Sequence, residues 1–433
     1  MSAENNNLNY ESESEYETES ESESESTSSD ENFEHVNNIE LTGKIIKNYN
    51  VICELGRGSF SIVWLVYSIV NNNFYALKVQ DPTEYNDGLS EIKFVQTLSK
   101  NPPIFNNIIE YFVEERNKQK YLCSIWELHC SNIDCLIRKG EYTDGFPLDM
   151  VIKIMKQLID AVKILHKKHK VFHGDIKSDN ILIKGISTKD IFIIKKYKES
   201  NFFDAYVNAK KTFWTNKGKN LSKIDKMDKS DKLSIRENLH GEITHKILEE
   251  YSLLDINKHL IDQKYLQDMN ISLADFGTHC EEHNYYETSF GTRYYQAPEI
   301  ILMGKCTFPV DIWAIGCTFY ELISGKLLFD PIKDSQHSRD YYHLSLISDT
   351  CGNFSESFLK RTKYYKSHFS KQMKLIDYEY PSENRLDRKL NELNIDPNIK
   401  EQIKRILIGT LQIDPSKRWT IDELSKDPLF TNG

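Results

Sequence analysis

The sequence predicts an α+β protein of two lobes, in which a small antiparallel sheet with one helix precedes a larger, mainly helical lobe. Residues 49–55 and 62–67 are strand-like runs joined by a glycine-containing turn, and 74–79 supplies a third strand. Apolar residues then recur at helical spacing, first in 89–98 and later in 150–166, 311–323 and 399–411. The length of 433 residues accommodates two such lobes together with a tail or an insertion.

Composition narrows the class of protein. The formal net charge of -10 argues against a general affinity for nucleic acid or anionic membranes. The eight cysteines show no C-x-x-C pair or other metal spacing and are expected to be reduced thiols. Neither a secretory signal nor a membrane-spanning run is evident, so we expect a soluble monomer of the cytoplasm or nucleus, with no direct nucleic-acid or membrane partner.

Two segments stand apart from the folded lobes. Residues 1–44 form an acidic Ser/Glu-rich tail that cannot bury enough apolar surface to fold, and we predict that it is disordered. Two roles for this tail remain open: it could simply be a solvated segment without a specific partner, or it could be phosphorylated or bind a partner. The folded domain is predicted over 45–433, divided near residue 128, with a Lys-rich and then amphipathic insertion at about 184–269.

The first candidate site is the glycine-rich turn between the first two strands. It approximates G-x-G-x-x-G-x-V, with serine at the third glycine. Glycine lets backbone N–H groups approach phosphate oxygens because no Cβ intervenes. An ordinary flexible hairpin is the alternative that this motif alone leaves open. The candidate nucleotide-binding residues here are Leu55, Gly56, Arg57, Gly58, Ser59, Phe60, Ser61, Ile62 and Val63.

A lysine and a glutamate follow in the order that nucleotide binding requires. Tyr75-Ala76-Leu77-Lys78 is close to V-A-I-K, which puts an ammonium group on a strand where it can hold phosphates. Glu91 lies on the next predicted helix and is its candidate partner. Taken separately, each residue could also be an ordinary surface charge.

The strongest signal is His173-Gly174-Asp175-Ile176-Lys177-Ser178-Asp179-Asn180, which fits H-R-D-L-x-x-x-N except at Gly174. Asp175 can accept or orient the proton of a substrate hydroxyl, and Lys177 can neutralise the γ-phosphate. The amide oxygen of Asn180 and the carboxylate of Asp275 in Asp275-Phe276-Gly277 are candidate Mg²⁺ ligands. A polar loop with an Asx turn explains single residues here but not the whole spacing.

In this order, and with Ala297-Pro298-Glu299 following, the motifs resemble those of the eukaryotic protein kinases over nearly all of 49–430. The resemblance implies a bilobal kinase fold that uses ATP and Mg²⁺. It also implies a hinge after Trp126 that includes Glu127 and His129, and a buried ion pair between Glu299 and Arg418. The alternative is a catalytically weak kinase-like scaffold or nucleotide-binding module.

In finer detail the chain is similar to the SR-protein kinases. The shared features are the sequence Phe60-Ser61-Ile62-Val63-Trp64, the large insertion before Asp275, and Thr292-Arg293-Tyr294-Tyr295 ahead of Ala297. The resemblance implies phosphorylation of serine or threonine in protein substrates, with basic or Arg/Ser-rich ones as candidates, and a spacer role for the insertion. Few carboxylates are available to bind such substrates, so the substrate class stays open at this point; the candidates are Asp330, Asp334 and Asp340.

Gly174 occupies the position where most regulated kinases have an arginine that pairs with a phosphate on the activation segment. We therefore expect activity to be independent of phosphorylation there, and Thr288, Ser289 and Thr292 to be structural or substrate-contacting residues. Phosphatase treatment should leave the rate of substrate phosphorylation unchanged, and an enzyme that loses all activity after this treatment would contradict the expectation.

Overall fold

The protein has the predicted two-lobed α+β architecture. The computed structural model describes residues 39–58, 60–98, 103–116, 118–254, 261–281, 289–333, 336–379 and 385–431. Within them, a six-stranded antiparallel sheet and one long helix form the small lobe, and helices dominate the large lobe. The predicted fold class is thereby confirmed.

The small lobe is one sheet with a helix inserted between its fourth and fifth strands. Its elements are β1 (Ile45–Ile46), β2 (Tyr49–Arg57), β3 (Ser61–Ser68), β4 (Asn73–Gln80), α1 (Tyr85–Leu98), β5 (Ile108–Arg116) and β6 (Gln119–Trp126). The strand order is β1-β2-β3-β4-β6-β5, so β4 lies inside the sheet with paired neighbours on both sides. A residue on β4 is therefore held firmly in place.

The folded chain begins earlier than residue 45. Ile39 and Leu41 are buried against Trp64 and Val66 of β3 and cover one face of the sheet. Gly43 donates its N–H to the carbonyl of Val51 at 3.0 Å. The predicted end of the tail at residue 44 therefore needs correction, because the two apolar residues supply enough burial to order residues 39–44. Residues 1–38 lie outside the described part of the chain.

The large lobe starts after β6 and carries a second, three-stranded sheet. Its first elements are β7 (His129–Asn132), α2 (Ile133–Lys139), α3 (Leu148–Ile164), β8 (Val171–Phe172) and β9 (Ile181–Lys184). After the insertion come β10 (Ile271–Leu273), which pairs antiparallel with β9, and β11 (Cys280–Glu281), which pairs with β8. The motif from His173 to Asn180, hereafter the catalytic loop, thus lies between β8 and β9, and Asp275 follows β10.

The insertion leaves the lobe at the end of β9 and returns at the start of β10. Its helices are α4 (Thr188–Glu199), α5 (Phe202–Asn216), α6 (Lys229–Ser252) and α7 (Gln263–Asp268). All four helices lie between residues 184 and 269, the approximate bounds predicted for the insertion, which stay a prediction. The predicted spacer role of the insertion stays a prediction.

The remaining helices build the rest of the large lobe. They are α8 (Pro298–Ile301), α9 (Pro309–Ser324), α10 (Arg339–Cys351), α11 (Glu356–Leu359), α12 (Tyr365–His368), α13 (Arg385–Asn391), α14 (Pro397–Thr410), α15 (Ile421–Ser425) and α16 (Pro428–Thr431). Every residue of α9 from Val310 to Ser324 is buried, so this helix forms the centre of the lobe. No described helix combines the length and the apolar character that a membrane crossing requires.

The insertion packs against the small-lobe sheet. Ile193, Ile194 and Tyr197 of α4 form an apolar cluster with Ile52 on β2 and Phe74 on β4. An apolar face on the first helix of the insertion therefore matches an apolar patch on the sheet, and their burial provides the driving force for docking.

Buried hydrogen bonds fix the register of this interface. The side chain of Asn50 donates to Tyr197 Oη at 2.8 Å, and its Oδ1 accepts from Arg236 Nε and Nη2 at 3.0 and 2.6 Å. His240 Nε2 lies 2.8 Å from the carbonyl oxygen of Val51. Burial lowers the pKa of His240 to about 4, so the ring is neutral at pH 7 and donates to that carbonyl.

Replacement of Asn50 by alanine should destabilise the protein by about 2–4 kcal/mol, because it leaves the buried Arg236 guanidinium without its side-chain acceptor. The measurement is urea unfolding. Asn398→Ala, at an exposed residue in the first turn of α14, is the matched control and should change the free energy of unfolding by less than about 0.5 kcal/mol. An Asn50→Ala protein as stable as the control would show that the interface contributes little.

Candidate active site

The glycine-rich turn closes β2 and β3 into a hairpin at the mouth of the cleft. Gly56 pairs with Val63 and Arg57 with Ile62, and Gly58 donates its N–H to the Ser61 carbonyl at 2.8 Å. The ring of Phe60 is exposed at the tip of the turn. Ser59 was also predicted to bind nucleotide, but it lies outside the described residues.

Arg57 is less suited to nucleotide binding than its place in the motif suggests. Its guanidinium is paired with the Glu54 carboxylate at 2.6 Å on the exposed side of β2. The side chain of Arg57 is therefore directed towards Glu54, while its backbone pairs with Ile62 at the end of β2.

The predicted hinge joins β6 to β7. Ala76 lies opposite Trp126 across β4 and β6, and the buried Trp126 indole donates to Ser124 Oγ at 2.8 Å. Glu127 donates its N–H to the Asn107 carbonyl at 3.2 Å, and His129 Nδ1 lies 3.2 Å from the Glu127 carbonyl. With Leu55 packed against the same core, these residues line one end of the cleft between the lobes.

Lys78 and Glu91 form the ion pair that the sequence predicts. The Lys78 ammonium lies 2.7 Å from Glu91 Oε2 and 4.0 Å from Asp275 Oδ1. Burial lowers the pKa of Lys78, but the carboxylates of Glu91 and Asp275 outweigh it and the pKa is raised overall, so Lys78 is a fixed cation. Glu91 Oε1 also accepts the N–H of Phe276 at 3.3 Å, which ties helix α1 to the Asp275-Phe276-Gly277 segment.

Asp175 lies at the bottom of the cleft with both carboxylate oxygens occupied. Oδ1 accepts the backbone N–H of Thr292 at 2.7 Å, and Oδ2 lies 3.1 Å from Lys177 Nζ. Lys177 donates to Thr292 Oγ1 at 2.5 Å. Burial raises the pKa of Asp175, but Lys177 and the hydrogen bonds from Thr292 outweigh it and hold the pKa below the usual range. Asp175 is therefore a carboxylate at neutral pH.

Asn180 and Asp275 are suited to hold a divalent cation. Asn180 Nδ2 donates to the Asp175 carbonyl at 2.8 Å and to Asp175 Oδ2 at 3.2 Å, which leaves the amide oxygen for a cation. The side chain of Asp275 is half exposed. The backbone of this residue is left-handed, with φ of 62°. One amide and one carboxylate oxygen fit Mg²⁺, which is usually held by few protein ligands together with phosphate oxygens and water.

The sequence analysis missed the residue that holds the catalytic loop in place. Asp311, near the start of α9, is buried and accepts the backbone N–H groups of His173 and Gly174 at 2.8 and 2.9 Å. Its Oδ2 also lies 2.8 Å from His166 Nε2. The sequence did contain a signal for this role, because Asp311 lies in an otherwise apolar helix. A carboxylate that is buried in such a helix needs hydrogen-bond donors from elsewhere in the fold.

Two buried polar contacts hold the segment around Tyr295 and Glu299 against the large lobe. The predicted Glu299–Arg418 pair is confirmed, with Arg418 Nη1 and Nη2 at 2.7 and 3.0 Å from the carboxylate. Tyr295 donates to Glu321 Oε2 at 2.5 Å, a contact that the sequence analysis did not predict. Burial raises the pKa of Glu321 to about 7, so near neutral pH its carboxyl group exchanges a proton.

Gly174 has a conformation that explains why it is glycine. Its φ is +83°, and a Cβ placed there would lie 2.7 Å from the Thr278 carbonyl oxygen. A side chain therefore clashes with the backbone of the neighbouring segment unless one of them shifts. The loop as it stands has no room for an arginine side chain at this position.

Comparison with known proteins places these motifs in context. The profile of the protein kinase domain family matches residues 49–198 and 257–430, interrupted within the insertion. The protein L205 of Acanthamoeba polyphaga mimivirus, which carries a serine/threonine-protein kinase name, is 28% identical to this chain, and the similarity covers 93% of this chain and 91% of that protein.

Two further relatives match over most of their length. Serine/threonine-protein kinase SRPK of Physarum polycephalum is 26% identical, with 90% of this chain and 88% of that protein covered. Protein kinase dsk1 of Schizosaccharomyces pombe is 24% identical, with 88% and 80% covered. The similarity thus extends over the lobes and is not confined to a single motif.

Replacement of Gly174 by alanine should destabilise the protein by about 2–4 kcal/mol and lower its kcat, because the left-handed backbone and the contact with Thr278 are both unfavourable. Gly218→Ala is the matched control: Gly218 has φ of +68° with nothing within 4 Å of the added Cβ, so it should cost only about 1 kcal/mol. Urea unfolding and steady-state kinetics measure both effects. Equal stability of the two variants would contradict the clash.

Proposed function

This chain belongs to the protein kinase family, and we propose that Asp175 is the catalytic base with which it transfers the γ-phosphate of ATP to serine and threonine hydroxyls of protein substrates. The enzyme is a protein serine/threonine kinase. One arrangement carries the assignment: an ionised Asp175 at the bottom of the cleft, with Lys177 at 3.1 Å and Asn180 at 3.2 Å.

The proposed roles follow from this arrangement. Asp175 orients the substrate hydroxyl and accepts its proton as the oxygen attacks the γ-phosphorus, while the bond from that phosphorus to the β,γ-bridging oxygen breaks and ADP leaves. Lys177 neutralises charge that builds on the transferred group. Because Thr292 holds both Asp175 and Lys177 through its backbone N–H and its hydroxyl, the segment that carries Thr292 positions the base.

Nucleotide binding involves the other half of the cleft. The backbone of the glycine-rich turn and the Lys78 ammonium hold phosphates, with Glu91 fixing the direction of Lys78. The backbone around Glu127 and His129 provides the hinge against which the adenine lies. Asn180 and Asp275 would hold Mg²⁺, which when bound would shield the phosphate oxygens and so lower the barrier to transfer.

Basic or Arg/Ser-rich proteins are the proposed substrates. This proposal is supported by the likeness to the Physarum protein, whose name is SRPK, and by the exposed Asp330. Asp340 is less able to bind a substrate arginine, because its carboxylate is already paired with Arg293. The surface around Asp330 and the start of α10 therefore attracts arginine less strongly than its count of carboxylates suggests.

Labelled ATP, Mg²⁺ and a basic protein provide the test. Asp175→Ala should lower the rate of labelling by about 10² to 10⁴-fold, since a positioned general base contributes about that much. The matched control is Asp160→Ala, an exposed aspartate on α3, which should label at the wild-type rate. Equal labelling by the wild-type and Asp175→Ala proteins would contradict catalysis by Asp175.

The same assay on a peptide library tests the substrate class. Peptides with a serine or threonine acceptor should be labelled in preference to tyrosine peptides, and arginine neighbours should raise kcat/KM over glutamate neighbours. Equal labelling of arginine-flanked and glutamate-flanked peptides would remove the proposal of basic substrates and leave serine/threonine kinase activity intact.

A further inference from the structure

The charge of this protein is divided very unevenly along the chain. Residues 1–38 contain 12 of the 65 acidic residues and none of the 55 basic ones. Residues 39–433 therefore hold 53 acidic and 55 basic residues and are close to neutral as a whole. The negative charge that the composition reports belongs to the tail alone.

The opposite charge is concentrated at one end of the insertion. Residues 209–232 contain eight lysines against three aspartates. We call the exposed lysines at the α5–α6 turn the lysine tip, which comprises Lys211, Lys217, Lys219, Lys223, Lys226 and Lys229. Asp231 pairs with Lys217 at 2.8 Å, and no other member of the tip forms an ion pair with a described carboxylate. Most of this positive charge is thus uncompensated within the described residues.

The lysine tip is a folded platform. Trp214, Met227 and Ile235 form a small buried cluster beneath it, and the Trp214 indole donates to the Asn220 carbonyl at 2.9 Å. Lys217 and Lys219 lie over the rings of Phe213 and Trp214 at 4.2 Å from each ring centre. The backbone that carries the tip is therefore folded, and the side chains of Lys217 and Lys219 are held against aromatic rings, which lowers the entropic cost of binding an acidic chain.

The tail leaves the folded domain beside the same helix that carries the tip. A Cβ added at Gly43 would lie 3.3 Å from the Cα of Gly241, so the chain just after the tail contacts the middle of α6. From Gly241 to Lys229 the helix runs for about 18 Å. The length of chain between Glu11 and Ile39 corresponds, by random-coil statistics, to a root-mean-square span of about 30 Å, enough to cover this distance.

We propose that the acidic tail, residues 11–34, binds the lysine tip of the insertion in the same chain. The tail alternates glutamate with serine and threonine, so successive carboxylates can meet lysines spread over the platform. Attachment at the neighbouring Gly43 gives the tail an effective concentration of about millimolar, which makes even weak ion pairing effective. Phosphate groups on the tail would each add negative charge and strengthen the contact.

Two measurements on the full-length protein test this proposal. Zero-length carbodiimide cross-linking in low salt should join carboxylates of residues 11–34 to lysines of the tip, and 0.5 M NaCl should abolish most of these products because exposed ion pairs are screened. A mixture of isotope-labelled and unlabelled protein distinguishes cross-links within one chain from those between copies. Cross-links that map elsewhere on the protein, or between copies, would overturn the proposal.

Cleavage of the tail by a glutamate-specific protease gives a readout that does not need reactive lysines. Substitution of Lys211, Lys219, Lys223 and Lys226 by glutamine should speed cleavage within residues 11–34 about five-fold or more. The matched control replaces four exposed lysines of the large lobe, Lys363, Lys366, Lys371 and Lys374, and should be cut at the wild-type rate. Unchanged folding of both variants is checked by thermal unfolding.

Equal cleavage rates in the wild-type protein and the tip variant would overturn the proposal. So would a tip variant whose tail is cut at the wild-type rate but which loses affinity for a single-stranded RNA oligonucleotide that the wild-type protein binds. That second outcome would assign the lysines to a nucleic-acid partner, whose phosphates offer the same charge.

Discussion

A single buried carboxylate fixes the backbone that carries the proposed catalytic base. Asp311 accepts two consecutive backbone N–H groups, from His173 and Gly174, and so fixes the peptide units directly before Asp175. Because Asp311 belongs to a helix that is buried from Val310 to Ser324, these hydrogen bonds tie the catalytic loop to the core of the large lobe. The ring of His173 continues the network, since its Nδ1 accepts the N–H of Asp175 and its Nε2 lies 3.0 Å from the Ala274 carbonyl, just before Asp275.

Much of the site could be predicted from the sequence because its functional groups lie in short local motifs. Lys78, Asp175 and Asp275 are each recognisable from their immediate neighbours, and the order of the motifs implies the fold that brings them together. Asp311 and the Tyr295–Glu321 contact were missed because they depend on partners more than twenty residues away. The burial of Ile39 and Leu41 was missed for a related reason. Two apolar residues after an acidic run show no helical or strand periodicity, and the sheet residues that they pack against are distant in the sequence.

The insertion adds helices to the part of the small-lobe sheet around Ile52 and Phe74. Its first helix also reaches the strand that leads into the glycine-rich turn, where Lys189 Nζ donates to the Glu54 carbonyl at 3.3 Å. Cys53 is enclosed at the same interface, and burial raises the pKa of its thiol to about 12, so it is unreactive. The segment that a sequence comparison treats as an interruption of the family pattern is thus continuous with the packing of the catalytic domain.

Docking of the insertion onto β2 also has a consequence for the order in which the chain can fold during synthesis. Asn50 meets Arg236 across 186 residues, and Val51 meets His240 across 189. A ribosome adding about 5–20 residues per second needs roughly 10–40 s to produce those partners after β2 has emerged. The small lobe is complete once β6 ends at Trp126, and the apolar patch around Ile52 and Phe74 stays exposed on it until α4 supplies Ile193, Ile194 and Tyr197. A nascent chain of this protein therefore presents a hydrophobic surface to chaperones at a defined stage of translation.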